Sequence, residues 1–184
     1  MSLTVDLDNS LEKQSGEMIA VCMFESIAPV HGCAGIIDWE ISGEISRQVE
    51  SKKFSGERKD RLLIYSQHTC VPPRKVLLYG LGKKENFNQK ILAALTKDLM
   101  QTLNTLSVYK FMHVLPVLYG IEAKVQTMIN TIAYTMLEYT YIEKKDYTLK
   151  LLWDNISSVD VKTAFREAVN MLPDADIIIL EREV

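Results

Sequence analysis

Apolar residues along this chain repeat with two periods, every second position in some stretches and every third to fourth in others. Residues 3–7 alternate apolar and polar, as a half-buried strand does. Residues 18–24, Met-Ile-Ala-Val-Cys-Met-Phe, form a nearly continuous apolar run, the pattern of a strand covered on both faces. A turn region holding Pro29, Gly32 and Gly35 follows. Ile37, Ile41, Ile45 and Val49 then recur every four residues and predict one helix with Asp38 near its start. Gly43 lies inside that stretch at a propensity cost of about 1 kcal/mol. Residues 61–66 and 75–79 read as two strands separated by a Val-Pro-Pro turn at 71–73. Asn86 is placed to cap a helix striped by Ile91, Leu95, Leu99 and Leu103.

Residues 111–118 predict another strand, ended by Gly120, and Ile121, Val125, Met128, Ile129, Ile132 and Met136 fit helical spacing closely. Residues 147–153 return to strand. Ser157 with Asp160 resembles a capping box before Val161, Ala164, Phe165, Ala168 and Leu172, and Pro173 stops that helix. Residues 176–180 read as a final strand. Strands alternating with helices of this length predict an α/β fold in three layers. Without an internal repeat or a low-complexity linker, residues 1–184 read as a single domain, with 154–184 contributing a helix and a closing strand.

Composition narrows the classes. Hydrophobic residues make up 47% and charged residues 24% of 184, the balance of a globular chain. The net charge of −3 is spread over interspersed signs, which gives no pull toward nucleic acid or an anionic membrane. No apolar run approaches the roughly 20 residues that span a bilayer, and the acidic, alternating start is unlike a signal peptide. Cys22, Cys33 and Cys70 are widely spaced and odd in number, which argues against a disulfide scaffold or zinc knuckle and for a reducing cytoplasm.

Candidate chemistry is sparse. His31, His68 and His113 share no short spacing, so no metal site, cofactor or catalytic residue is assigned. His113 falls inside an apolar strand, as a satisfied or an edge histidine. His68 and Cys70 point the same way on a strand, but no third group orients them, and Cys22 reads as core. Gly80, Leu81, Gly82 and Lys83 end a strand just before a helix. Such a loop serves a tight strand-to-helix turn, the favoured reading, or docks an anion on free backbone amides. Lys52, Lys53, Arg58, Lys59 and Arg61 are offset by Glu50, Glu57 and Asp60 and form a solvated loop. Tyr139, Tyr141 and Tyr147, with Tyr134, either line an interface or pack a helix end on the sheet.

Four short signatures occur in order: Gly-Cys-Ala-Gly at 32–35, Phe-Ser-Gly-Glu at 54–57, Lys-Val-Leu-Leu-Tyr-Gly-Leu-Gly-Lys at 75–83, and Tyr-Thr-Tyr-Ile-Glu-Lys-Lys at 139–145. Together they resemble the N-terminal domain of the leucyl (cytosol-type) aminopeptidases over roughly residues 3–153. The resemblance implies a macro-like fold, a mixed sheet flanked by helices. In that family a separate C-terminal domain holds two metal ions on Asp, Glu and Lys ligands with an Asn-Thr-Asp-Ala-Glu-Gly-Arg signature. Nothing resembling that signature occurs here, and the chain stops at Val184, about where that domain would begin. The expectation is a non-catalytic domain that acts in oligomer assembly or protein interaction, as a homo-oligomer or with an aminopeptidase-type catalytic partner. Two alternatives stand beside it. One is a macro-like binder of a nucleotide or ADP-ribose-type ligand, although the Gly-Asp-Ile pattern of macro domains is missing. The other is the front portion of a metal-dependent aminopeptidase whose catalytic domain is on another chain.

Overall fold

The computed structural model describes residues 2–6, 16–26, 28–66, 73–115, 125–153, 158–172 and 174–180. Leu7, the turn residues 71 and 72, Gly120, Ile121, Ser157 and Pro173, and with them the expectations placed there, lie outside the described residues.

The strands are β1 (Ser2–Asp6), β2 (Met18–Met23), β3 (Arg61–Tyr65), β4 (Lys75–Gly80), β5 (Lys110–Val114), β6 (Tyr147–Leu152) and β7 (Asp176–Leu180). Among the described residues they form one sheet in the order β3-β4-β2-β5-β6-β1-β7. All described neighbours run parallel except β3, which is antiparallel to β4. The sheet is therefore mixed, as the resemblance implies. β2 is buried along its whole length because β4 and β5 flank it and helices cover both faces. The closing strand joins the same sheet, with Leu3 in register with Ile177 and Val5 with Ile179.

The helices are α1 (Gly32–Glu40), α2 (Glu44–Glu50), α3 (Gln89–Thr105), α4 (Val125–Glu143) and α5 (Ser158–Met171). Leu92, Leu95, Leu99 and Leu103 of α3, Met128, Ile132 and Met136 of α4, and Val161, Ala164 and Phe165 of α5 pack on one face of the sheet. Ile37, Ile41 and Ile45 pack on the other, against Ile19, Val21, Val76, Leu78 and Met112. The result is three layers with unequal helix cover.

Two boundaries differ from the sequence reading. The stretch predicted as one helix breaks at Gly43, whose φ of 75° lies in the left-handed region that glycine enters without a Cβ penalty. Asp38, expected at a helix start, instead sits late in α1 and caps α2. Its carboxylate accepts from the Ser46 amide at 3.1 Å and from the Ser46 hydroxyl at 2.5 Å. The cap of α3 is Asn88 rather than Asn86, since the Asn88 side chain accepts from the Ile91 amide at 3.1 Å. Asn86 ends a short 3-10 turn, Lys84–Asn86, that precedes it.

Candidate functional site

The glycine loop is built by close packing. A Cβ on Gly80 would lie 1.9 Å from the Glu57 carbonyl oxygen, so no other residue fits there. Gly82 has a φ of 80° and packs against Arg58. Three of the four backbone amides that an anion would use already have partners. Gly80 donates to the Asp60 carbonyl at 2.8 Å, Leu81 to Met23 at 2.8 Å and Gly82 to Gly56 at 2.9 Å. The Glu25 amide in turn donates to the Gly82 carbonyl at 3.0 Å. Leu81 is buried, and Lys83 is the exposed member of the four. The loop thus ties the end of β4 to the 56–60 turn and to the end of β2. Its position at a strand's carboxyl end was legible in the sequence; the three carbonyl acceptors, from distant segments, were not.

The tyrosines separate. Tyr139 on α4 and Tyr147 at the start of β6 are 4% and 1% exposed, which corrects the expectation that they line an interface. Their rings pack edge to face with centroids 6.3 Å apart, and the Tyr109 ring centroid lies 5.6 Å from that of Tyr147. Lys145 sits 5.1 Å from the Tyr109 ring centroid and donates to Asn104 Oδ1 at 2.5 Å, while Asn104 donates to the Tyr139 hydroxyl at 3.3 Å. Burial pushes the hydroxyl pKa of both Tyr139 and Tyr147 up. This is a helix end fastened to the sheet. Tyr141, 44% exposed beside exposed Ile142, is the one of the three that a partner can reach.

A buried polar group lies under α3. His113 is on β5, fourth of the seven strands, so it is not an edge histidine. Nor is it fully satisfied: its Nδ1 is buried without a partner. Burial lowers its pKa to about 4, against a smaller upward pull from the Ala20 backbone. Cys22, which shares a cavity of about 10 Å³ with it, is core as expected, and burial raises its thiol to about 12. At neutral pH the pair is a thiol and a neutral imidazole, the reverse of an activated nucleophile. His68 and Cys70, the other pairing considered, lie outside the described residues.

Asp98 of α3 gathers charge at the β3 edge. It accepts from Arg61 Nη2 at 2.6 Å and from the Tyr79 hydroxyl, and Lys59 Nζ lies 3.4 Å away. Burial alone would raise its carboxyl, but the Tyr79 hydrogen bond and the Arg61 and Lys59 charges outweigh it and hold it below its ordinary value. Among the described residues no group of three His, Cys, Asp or Glu side chains could hold a metal ion. No helix among the described residues is long and apolar enough to cross a membrane.

Residues 21–145 match the cytosol aminopeptidase family, N-terminal domain. The chain belongs to that family. It is 28% identical over 82 residues to a probable cytosol aminopeptidase of Trichormus variabilis, covering 44% of this chain and 16% of that one. It is 29% identical over 103 residues to the probable cytosol aminopeptidase of Nitrosomonas europaea, covering 56% and 20%. The chain thus matches a fifth or less of the length of these relatives. In solved structures the same architecture occurs in a tomato leucine aminopeptidase mutant, with a TM-score of 0.67, 14% identity, and coverage of 90% of this chain and 35% of that one. It occurs also in the Oceanobacillus iheyensis macrodomain with ADP, with a TM-score of 0.65, 12% identity and coverage of 91% and 90%. At these identities the likeness establishes the macro-like fold and nothing finer.

Proposed function

We propose that this chain is a non-catalytic domain of the aminopeptidase type that works by assembly, with copies of itself or with an aminopeptidase-type catalytic chain, in the cytoplasm. The observation that carries this reading is that both edges of the sheet present apolar side chains to solvent. Leu63 and Tyr65 are exposed on β3, and Ile178 and Leu180 on β7. An undefended edge offers unpaired backbone groups to another chain. Trp39, 84% exposed on the outer side of α1 beside exposed Ile36, adds apolar surface on a helical face. With a net charge of −3, association rests on buried apolar area rather than on electrostatic attraction. Light scattering of the full chain tests this. An oligomer that persists from low salt to ~0.5 M salt, where exposed charges are screened, supports the reading. A monomer under both conditions refutes self-assembly.

A second reading, a macro-like binder of a nucleotide or ADP-ribose-type ligand, is favoured by one feature. A cavity of about 280 Å³ opens at the carboxyl end of β2, lined by Phe24, Ser26, Lys52, Phe54 and Ser55. Open α/β sheets bind ligands outside the carboxyl ends of their strands. Calorimetry with ADP-ribose reads it directly, and absence of heat at millimolar ligand removes it.

A further inference from the structure

β3 is an edge strand whose five residues, Arg-Leu-Leu-Ile-Tyr, complement themselves when read in opposite directions. Its hydrogen-bond phase is set by the Ser66 amide, which donates to the Arg74 carbonyl at 2.9 Å, and by the Gly80 amide, which donates to the Asp60 carbonyl at 2.8 Å. Antiparallel ladders bond every second residue. With Leu62 registered to Leu78 and Ile64 to Val76, those two residues turn their backbone groups toward β4. Arg61, Leu63 and Tyr65 therefore turn theirs outward, away from the sheet. Their side chains are exposed on the face that carries α3, with Leu63 at 48% and Tyr65 at 58%.

We infer that β3 pairs with β3 of a second copy of this chain about a two-fold axis through Leu63, joining two sheets into one. The inference deepens the assembly reading and rests on it. In this register Leu63 faces Leu63 of the partner subunit, and Arg61 faces Tyr65 of the partner subunit on each side of the axis. All outward N–H and C=O groups of the three residues find partners, because the residue on the axis is one whose backbone groups point out. The side chains match as well. The guanidinium of Arg61 is already held by Asp98, and it lies 5.8 Å from the ring centroid of its own Tyr79. A hollow of about 440 Å³ lies beside it, lined by Asp98, Gln101, Thr102, Thr105 and the exposed Leu106. Tyr65 of the partner subunit enters on the same face as Arg61 and places its ring at this hollow, against a fixed cation. Each copy gives one tyrosine and receives one.

The devices that protect edges, lysine or proline within the strand, are missing from both edge strands. What favours β3 is that its single charge is drawn aside by Asp98. The same operation on β7 would set Asp176 against Leu180, a charge against an apolar side chain.

Sedimentation equilibrium of the full chain over a concentration series tests the pairing and its register. Wild type should show a concentration-dependent dimer. Leu63→Lys, which sets two like charges across the axis, should raise the dissociation constant roughly tenfold or more. Tyr65→Lys, which faces Arg61, should do the same. Tyr65→Glu should keep the dimer, since it offers Arg61 a carboxylate, and should make it weaken with salt. Both sites are exposed, so unchanged circular dichroism and melting temperature certify the fold of all three variants. If the dimer is indifferent to Leu63→Lys, the edge pairing is wrong while assembly itself stands. If wild type is a monomer throughout, pairing and self-assembly fall together. If Tyr65→Glu dissociates as Tyr65→Lys does, the register is wrong.

Discussion

A methyl group at position 80 would sit 1.9 Å from the Glu57 carbonyl oxygen, well inside van der Waals contact, and the nearest atoms are backbone that cannot swing aside. Gly80→Ala should therefore cost more than ~3 kcal/mol or abolish soluble expression, as read by chemical denaturation; a loss under ~1 kcal/mol would mean that the 56–60 turn yields easily. The sequence shows a glycine pair at a strand end, but not whether amides or space require it, because the answer lies in carbonyls of Asp60, Met23 and Gly56. His113 makes a second residue-scale prediction. Its pKa is about 4 folded against 6.5 for an ordinary histidine. Between those values the unfolded chain binds the extra proton, so stability is unaffected above pH 6.5 and falls as pH drops toward 4. Relative to His113→Leu, wild type should lose about 3 kcal/mol across that window. Parallel stability curves for the two proteins would mean that the imidazole is hydrated. Burial of this ring was legible in its apolar neighbours, whereas its unpartnered Nδ1 depends on what α3 and α4 bring over β5 and was not.

At the scale of elements, the α1–α2 pair shows how a periodic stripe can survive a break. Ile37, Ile41 and Ile45 all reach the core, yet the chain turns at Gly43 and starts again. The four-residue repeat reports which side is buried and is blind to the two left-handed residues, Ser42 and Gly43, between the helices. Asp38 closes the second helix by accepting from Ser46. Asp38→Ala should cost ~1 kcal/mol, the usual value of an N-terminal cap, measured by urea unfolding; Asp38→Asn should recover part of it. An unchanged midpoint for Asp38→Ala would assign the start of α2 to packing alone. The tyrosine segment erred for a related reason. The helix predicted through Met136 runs on to Glu143, so Tyr139 turns inward onto Tyr147 and only Tyr141 stays outside. Strands were easier to read, because β2 and β4 lie between two helical layers and carry unbroken apolar runs.

For the whole molecule, the alternation of strands and helices and the ordered short signatures carried the fold, including β7, which pairs with β1. Topology was less accessible. Nothing local tells Leu3 that its neighbours are Tyr147 and Ile177, more than a hundred residues away. The candidate surface was hidden for the same reason, since the exposure of Leu63 and Tyr65 follows from the place of β3 at the sheet's end rather than from their own pattern. On this account the chain alone should release no leucine from a leucyl amide with added manganese or zinc, and chelator-sensitive release above a no-protein control would overturn the non-catalytic reading. Association through an open apolar edge is the central claim, and hydrogen exchange of the full chain across a dilution series reads it most directly. The outward amides of Leu63 and Tyr65 should gain protection as concentration rises, in ~0.5 M salt as well as in low salt. Protection in residues 61–65 that does not change with concentration would contradict the account.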